Sequence, residues 1–160
     1  MEINKKLAVL VVMLAPLLLS CVPQSDADTP LPTVPFSVIA SGDNTISGSP
    51  ENRKTEVFTN QASFNSSLYL YVQPVAEHTV DFSSRRVVFL SLGGRSTGGY
   101  SISVEKIEEF GEYIKAKVLI KKPGSNCIVT PAQTSPYEFI EIESVEELLF
   151  EERVEVQECI

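Results

Sequence analysis

The sequence predicts a mainly β protein with one helix, an α+β chain of about six or seven mostly antiparallel strands in a sandwich or partly open barrel. Three observations carry this. Residues 87–92 are a nearly continuous apolar run, as in a strand buried on both faces. Residues 100–106 and 114–121 alternate apolar and polar with a period of two. Glycine, proline and asparagine clusters separate these runs at short intervals.

Taken in order, the first 20 residues are a targeting segment and are set aside from the fold. Lys5 and Lys6 precede an apolar stretch over 7–19, thirteen residues and short of the roughly 20 needed to span a bilayer. It ends in Leu18-Leu19-Ser20-Cys21, followed at once by polar residues. The pattern resembles a bacterial lipoprotein signal, which implies cleavage after Ser20 and acylation of Cys21. Two or more acyl chains anchor a protein stably. Val22 and Pro23 follow the cysteine, with no Asp. By resemblance to envelope sorting rules this points to the periplasmic face of the outer membrane.

Removing residues 1–20 takes Glu2, Lys5 and Lys6, a net charge of +1, so −8 becomes −9. Such an acidic chain is repelled by nucleic acid, and no basic patch with interleaved aromatics is present. Residues 21–35 hold Pro23, Pro30, Pro32 and Pro35 among small polar residues and read as a stiff tether. One globular domain then runs over 36–160.

Residues 36–40 read as a first strand and 56–58 as a short extended piece. Thr59 or Asn60 caps a helix over about 60–70. Phe64, Leu68 and Tyr71 recur at i, i+4 and i+7 and define its buried face. Pro74 ends it. The 87–92 strand and the 100–106 strand flank Leu92-Gly93-Gly94-Arg95-Ser96-Thr97-Gly98-Gly99-Tyr100, which reads as a shaped hairpin loop. Four of the eight glycines fall here, and Gly93, Gly94, Gly98 and Gly99 are assigned to loop geometry, with positive φ at Gly98 and Gly99. Arg95, Thr97 and Tyr100 are the candidate partner contacts. An architectural loop, with Tyr100 packed beneath it, is the competing reading.

The 114–121 strand turns Ile114, Ala116, Val118 and Ile120 inward and pairs with 100–106 as a hairpin. A lysine of this strand is a candidate partner for Glu105. Strands follow at 138–143 and 148–156, the last with Phe150, Val154 and Val156 on one face. The nine glutamates between 138 and 158 read as a solvated face. With Cys21 lipidated, Cys127 and Cys159 are an even pair in an exported chain and read as one disulfide, with free thiols as the alternative.

The segments Gly94–Ile102, Lys122–Thr130, Thr134–Tyr137 and Ile140–Ile142 resemble the C-terminal domain of PrcB-like protease-complex subunits. The matching elements are the Thr-Gly-Gly-Tyr turn, the Pro-Gly-x-x-Cys turn and the Ser-Pro-Tyr step before a strand, with 87–143 as the core. Cys159 fits members with a second cysteine near the end. The resemblance implies an exported, lipid-anchored, non-catalytic partner of a protease.

Site chemistry is otherwise sparse. His78 is the sole histidine, with Asp81 three residues on, but no Gly-x-Ser-x-Gly elbow is present and His78 reads as a surface residue. No helix follows the glycine loop to hold a phosphate. Ligand spacing for zinc and calcium is lacking. No catalytic residue, metal, cofactor or small-molecule substrate is expected. The expected partners are the membrane, through lipid at Cys21, and an exported protease or other envelope protein. A structural envelope lipoprotein without a protease partner is the alternative.

Overall fold

The computed structural model describes residues 32–44, 52–73 and 77–159. The targeting segment and Cys21 lie outside them. The described chain runs β1 (Phe36–Gly42), β2 (Lys54–Phe58), α1 (Gln61–Leu68), β3 (Arg86–Ser91), β4 (Ser101–Glu109), β5 (Tyr113–Pro123), β6 (Tyr137–Ile142) and β7 (Glu147–Gln157).

The strands form two sheets that are not closed into a barrel. One has the order β1-β6-β3-β2, the other β4-β5-β7. Helix, four-stranded sheet and three-stranded sheet lie as successive layers. Parity on β3 and β6 decides the layering. Val88, Leu90, Ile140 and Ile142 face the second sheet, where they meet Ile102, Val104, Ile107, Ile114, Ala116, Val118 and Ile120. Val87, Phe89, Tyr137 and Phe139 face the other way, against Phe64, Leu68 and Tyr71 of the helical segment. The predicted helical face is thus the buried one. Asn60 caps α1, its side chain accepting the Ser63 N–H at 3.0 Å.

Several sequence expectations change. The strands flanking the glycine loop do not pair: β3 lies in one sheet and β4 in the other. Residues 92–100 are therefore a crossover between layers, not a hairpin loop. Strand β4 carries a bulge between Val104 and Lys106, which returns Ile107 to the core side. Strand β7 is parallel to β5, Ile114 lying opposite Leu148 and Ile120 opposite Val154. Antiparallel pairing would follow from a tight turn, but β6 comes between them in sequence and joins the other sheet. Val154 and Val156 stay exposed, beside Ile120 and Lys122 at the end of β5.

Residues 32–35, read as tether, dock on the domain. Val34 is buried in the inter-sheet core and donates to the Ile107 carbonyl, and Glu109 N–H donates to Pro32. A disulfide joins Cys127 to Cys159 and fastens the end of β7 to the turn after β5. Glu105 pairs with Arg153 of β7 at 3.0 Å, not with a lysine.

Candidate functional site

The crossover is held by a second extended segment. Arg95 and Thr134 form a two-way backbone bridge, Gly98 N–H donates to Thr130, and the Thr134 hydroxyl donates to the Thr97 carbonyl at 3.0 Å. Positive φ is needed at Gly93 (70°) and Gly99 (87°). Gly98 lacks it, contrary to the sequence reading, and so does Gly94. At Gly99 a side chain would also meet Pro123 and Val129 at 3.2 Å.

Arg95, Thr97 and Tyr100 are each half-buried. The Arg95 guanidinium turns back, donating to the Leu92 carbonyl at 3.0 Å and lying 5.5 Å from the Tyr100 ring centroid. Thr97 is half-buried, its carbonyl engaged by Thr134. Tyr100 packs against the inter-sheet core. The crossover is thus tied into the scaffold, and only its last residue reaches an open site.

That site is a cleft of about 360 Å³ at the mouth between the two sheets, lined by Ser41, Asp43, Tyr100, Ser103, Tyr137 and Glu138 among others. Glu138 sits deepest in chemical terms. It is 6% exposed, and its Oε2 accepts the Val104 N–H at 2.7 Å. Burial pushes its carboxyl above the ordinary range, and the Val104 bond offsets only part of this. Burial also raises the Tyr137 hydroxyl, helped by the Asp43 charge.

Glu141, on the same strand with opposite parity, lies on the helix side. It too is 6% exposed, but Arg85 pairs with one oxygen and His78 Nε2 lies 2.6 Å from the other. Burial raises this carboxyl, yet the hydrogen bonds from Arg85 and His78 outweigh it and hold it below its ordinary value. His78 is therefore held against Glu141 and set edge-on to Phe64 at 6.0 Å, rather than a plain surface histidine. Asp81 is spent in its own turn, accepting from Ser83 and Ser84.

The glutamates on β6 correct the expectation of a solvated face. Every residue of β6 is buried, because this strand has a neighbour on each edge and a layer on each face. The sequence did carry a signal: Tyr137-Glu-Phe-Ile-Glu-Ile142 places two acids inside an otherwise apolar run, which demands a partner or a function for each. Asp43, Ser41 and Ser103 escaped notice because nothing local marks residues brought to the β6 acid from the end of β1 and from β4. Among the described residues no group of three or more His, Cys, Asp or Glu side chains is arranged to hold a metal.

The model of the PrcB C-terminal family matches residues 86–143. No curated protein and no solved structure matches the chain. The matched stretch begins with β3 and ends just after β6. It contains the crossover, its bridging segment, Tyr100, Glu138 and Glu141, whereas Asp43, α1, β7 and Cys159 fall outside it. Residues 86–143, which supply the central strands of both sheets, are similar to the PrcB C-terminal domain.

Proposed function

We propose that the protein is a non-catalytic accessory subunit, tethered to the bacterial cell envelope by lipid at Cys21, that binds an exported protease or another envelope protein. The match to the PrcB C-terminal family carries this reading, being consistent with a protease-complex-associated role. The geometry favours the inter-sheet cleft over the crossover as the contact. The Arg95 guanidinium is engaged by the Leu92 carbonyl, while the cleft opens beside an edge of β4 that no described strand covers at Ile102.

Membranes holding the tagged full chain, crosslinked and affinity-purified, provide the test. The wild type is expected to recover an exported protein. Ser101→Trp, which fills the cleft from an exposed position, should lose most of it. Arg95→Ala/Thr97→Ala should recover it in proportion to the folded fraction. Undiminished recovery by Ser101→Trp would remove the cleft from the account. For the anchor, Cys21→Ser should move the chain from the membrane to the soluble fraction; continued membrane retention speaks against lipid attachment.

A further inference from the structure

The mouth between the sheets contains a carboxylate that no described residue neutralises. Only burial and the Val104 N–H act appreciably on Glu138; among the described residues no basic side chain pairs with it. A glutamine oxygen would accept that N–H equally well, so the backbone bond does not require an acid. What the acid adds is charge, and a buried charge without a partner is costly. The second acid of the cleft, Asp43, stands exposed at its rim. Ser41, Ser101 and Ser103 add hydroxyls, and no lysine, arginine or histidine is among the lining residues.

The backbone beside Glu138 is open as well. The Val104 N–H points away from β5, since it reaches Glu138. Strand alternation aims the Ile102 N–H and C=O at the same edge. Further along, that edge is covered by residues 32–34, through the Thr33 to Glu108 bridge and the Val34 to Ile107 bond. At Ile102 no described strand covers it.

We propose that this mouth receives a lysine or arginine side chain from an extended segment of the partner protein, the segment pairing with β4 at Ile102 and its cation lying against Glu138. The inference rests on the accessory-subunit reading and names the chemistry of the partner's contact. Main-chain pairing supplies sequence-tolerant attachment, and the side-chain pocket supplies selection. A volume of about 360 Å³ suits one long side chain with its flanking backbone, not a folded domain. The net charge of −8 favours approach of a basic segment.

The test is an amide-shift titration of the ¹⁵N-labelled full chain in detergent. The probes are the blocked peptide Thr-Val-Lys-Val-Thr, its arginine counterpart and its norleucine counterpart. The lysine and arginine peptides should shift the amides of residues 101–104 and 138 in a saturable way. The norleucine peptide should bind about tenfold or more weakly. Glu138→Gln should keep a dispersed spectrum and bind the lysine peptide no better than wild type binds norleucine. Equal affinity for norleucine, unchanged lysine binding by folded Glu138→Gln, or no shift at these amides overturns the proposal. Should Glu138→Gln unfold, the three peptides on wild-type protein decide. Partner recovery from membranes that survives in Glu138→Gln, with no cationic preference in the peptides, leaves the accessory role standing and removes the cation site alone.

Discussion

Two glutamates three residues apart on β6 have equal burial and opposite surroundings. Glu141 meets Arg85 and His78 on the helix side. Glu138 meets one backbone N–H and an open cleft on the inter-sheet side. The first is a closed electrostatic unit whose role is complete within the fold. The second is an acid left facing outward from a low-dielectric position, where a charge interacts strongly with whatever arrives. Burial alone thus does not tell structure from function; the difference lies in whether the chain supplies the counter-charge.

The scaffold that holds both glutamates gives the largest expected effect. Phe139 sits between them, buried against Phe58, Phe64, Phe89 and Tyr71. Phe139→Ala should cost about 3–5 kcal/mol, read by chemical denaturation of the full chain. A loss under about 1 kcal/mol would mean that the aromatic cluster is not the core that fixes β6. Next comes the tie between the end of β7 and the turn after β5. Removing the disulfide by Cys127→Ser/Cys159→Ser should cost about 3–4 kcal/mol, the chain-entropy value for its 32-residue separation. Neither glutamate should change its titration when this bond is lost, since both lie on β6; altered titration would show that the sheets are coupled through β7.

The glutamates themselves separate in sign. Glu141→Gln should destabilise by about 1–3 kcal/mol, because two charged or hydrogen-bonding partners lose their acceptor. Glu138→Gln should be neutral or stabilising at neutral pH, by no more than about 1 kcal/mol, because it keeps the Val104 bond and removes an unpaired charge. The pH dependence follows the same division. Glu141, with its folded pKa lowered, contributes stability above the unfolded carboxylate pKa, and this is lost as the pH falls through its folded pKa. Glu138, with its folded pKa raised, contributes in acid, and that contribution is lost as the pH rises from the unfolded value through the folded one. Melting temperatures of the two variants across pH 3–7 check both signs (a range of roughly this width brackets carboxylate titration). The same slope in both would merge the two sites.

Much of this architecture was legible in the residues. The alternation Ile114, Ala116, Val118, Ile120 gave the buried face of β5, and Phe64, Leu68 and Tyr71 gave that of the helix. The continuous apolar run at 87–90 announced a strand covered on both sides. What was not legible is the assignment of strands to sheets. Periodicity fixes which face of a strand is buried, not which neighbour it takes, so the crossover at 92–100 passed for a hairpin and the parallel pairing of β7 with β5 went unread. The bulge hid in the spacing of three between Val104 and Ile107. The turn at Thr97-Gly98-Gly99-Tyr100 drew attention to the end of the molecule where Tyr100 lines the cleft. The Arg95 guanidinium turns back to the Leu92 carbonyl, and the acid that completes the cleft lies about forty positions further on, where alternation with apolar residues mimicked a solvated strand.

Among the described residues Glu138 is a buried acid without a counter-charge, beside a partnered twin, Glu141. The direct measurement is a carboxyl ¹³C titration of the full chain, with resonances assigned through Glu138→Gln and Glu141→Gln. Glu138 should titrate above the ordinary glutamate value and Glu141 below it. Glu138 titrating at or below the ordinary value would show that its charge is already compensated within the chain, and would contradict the account.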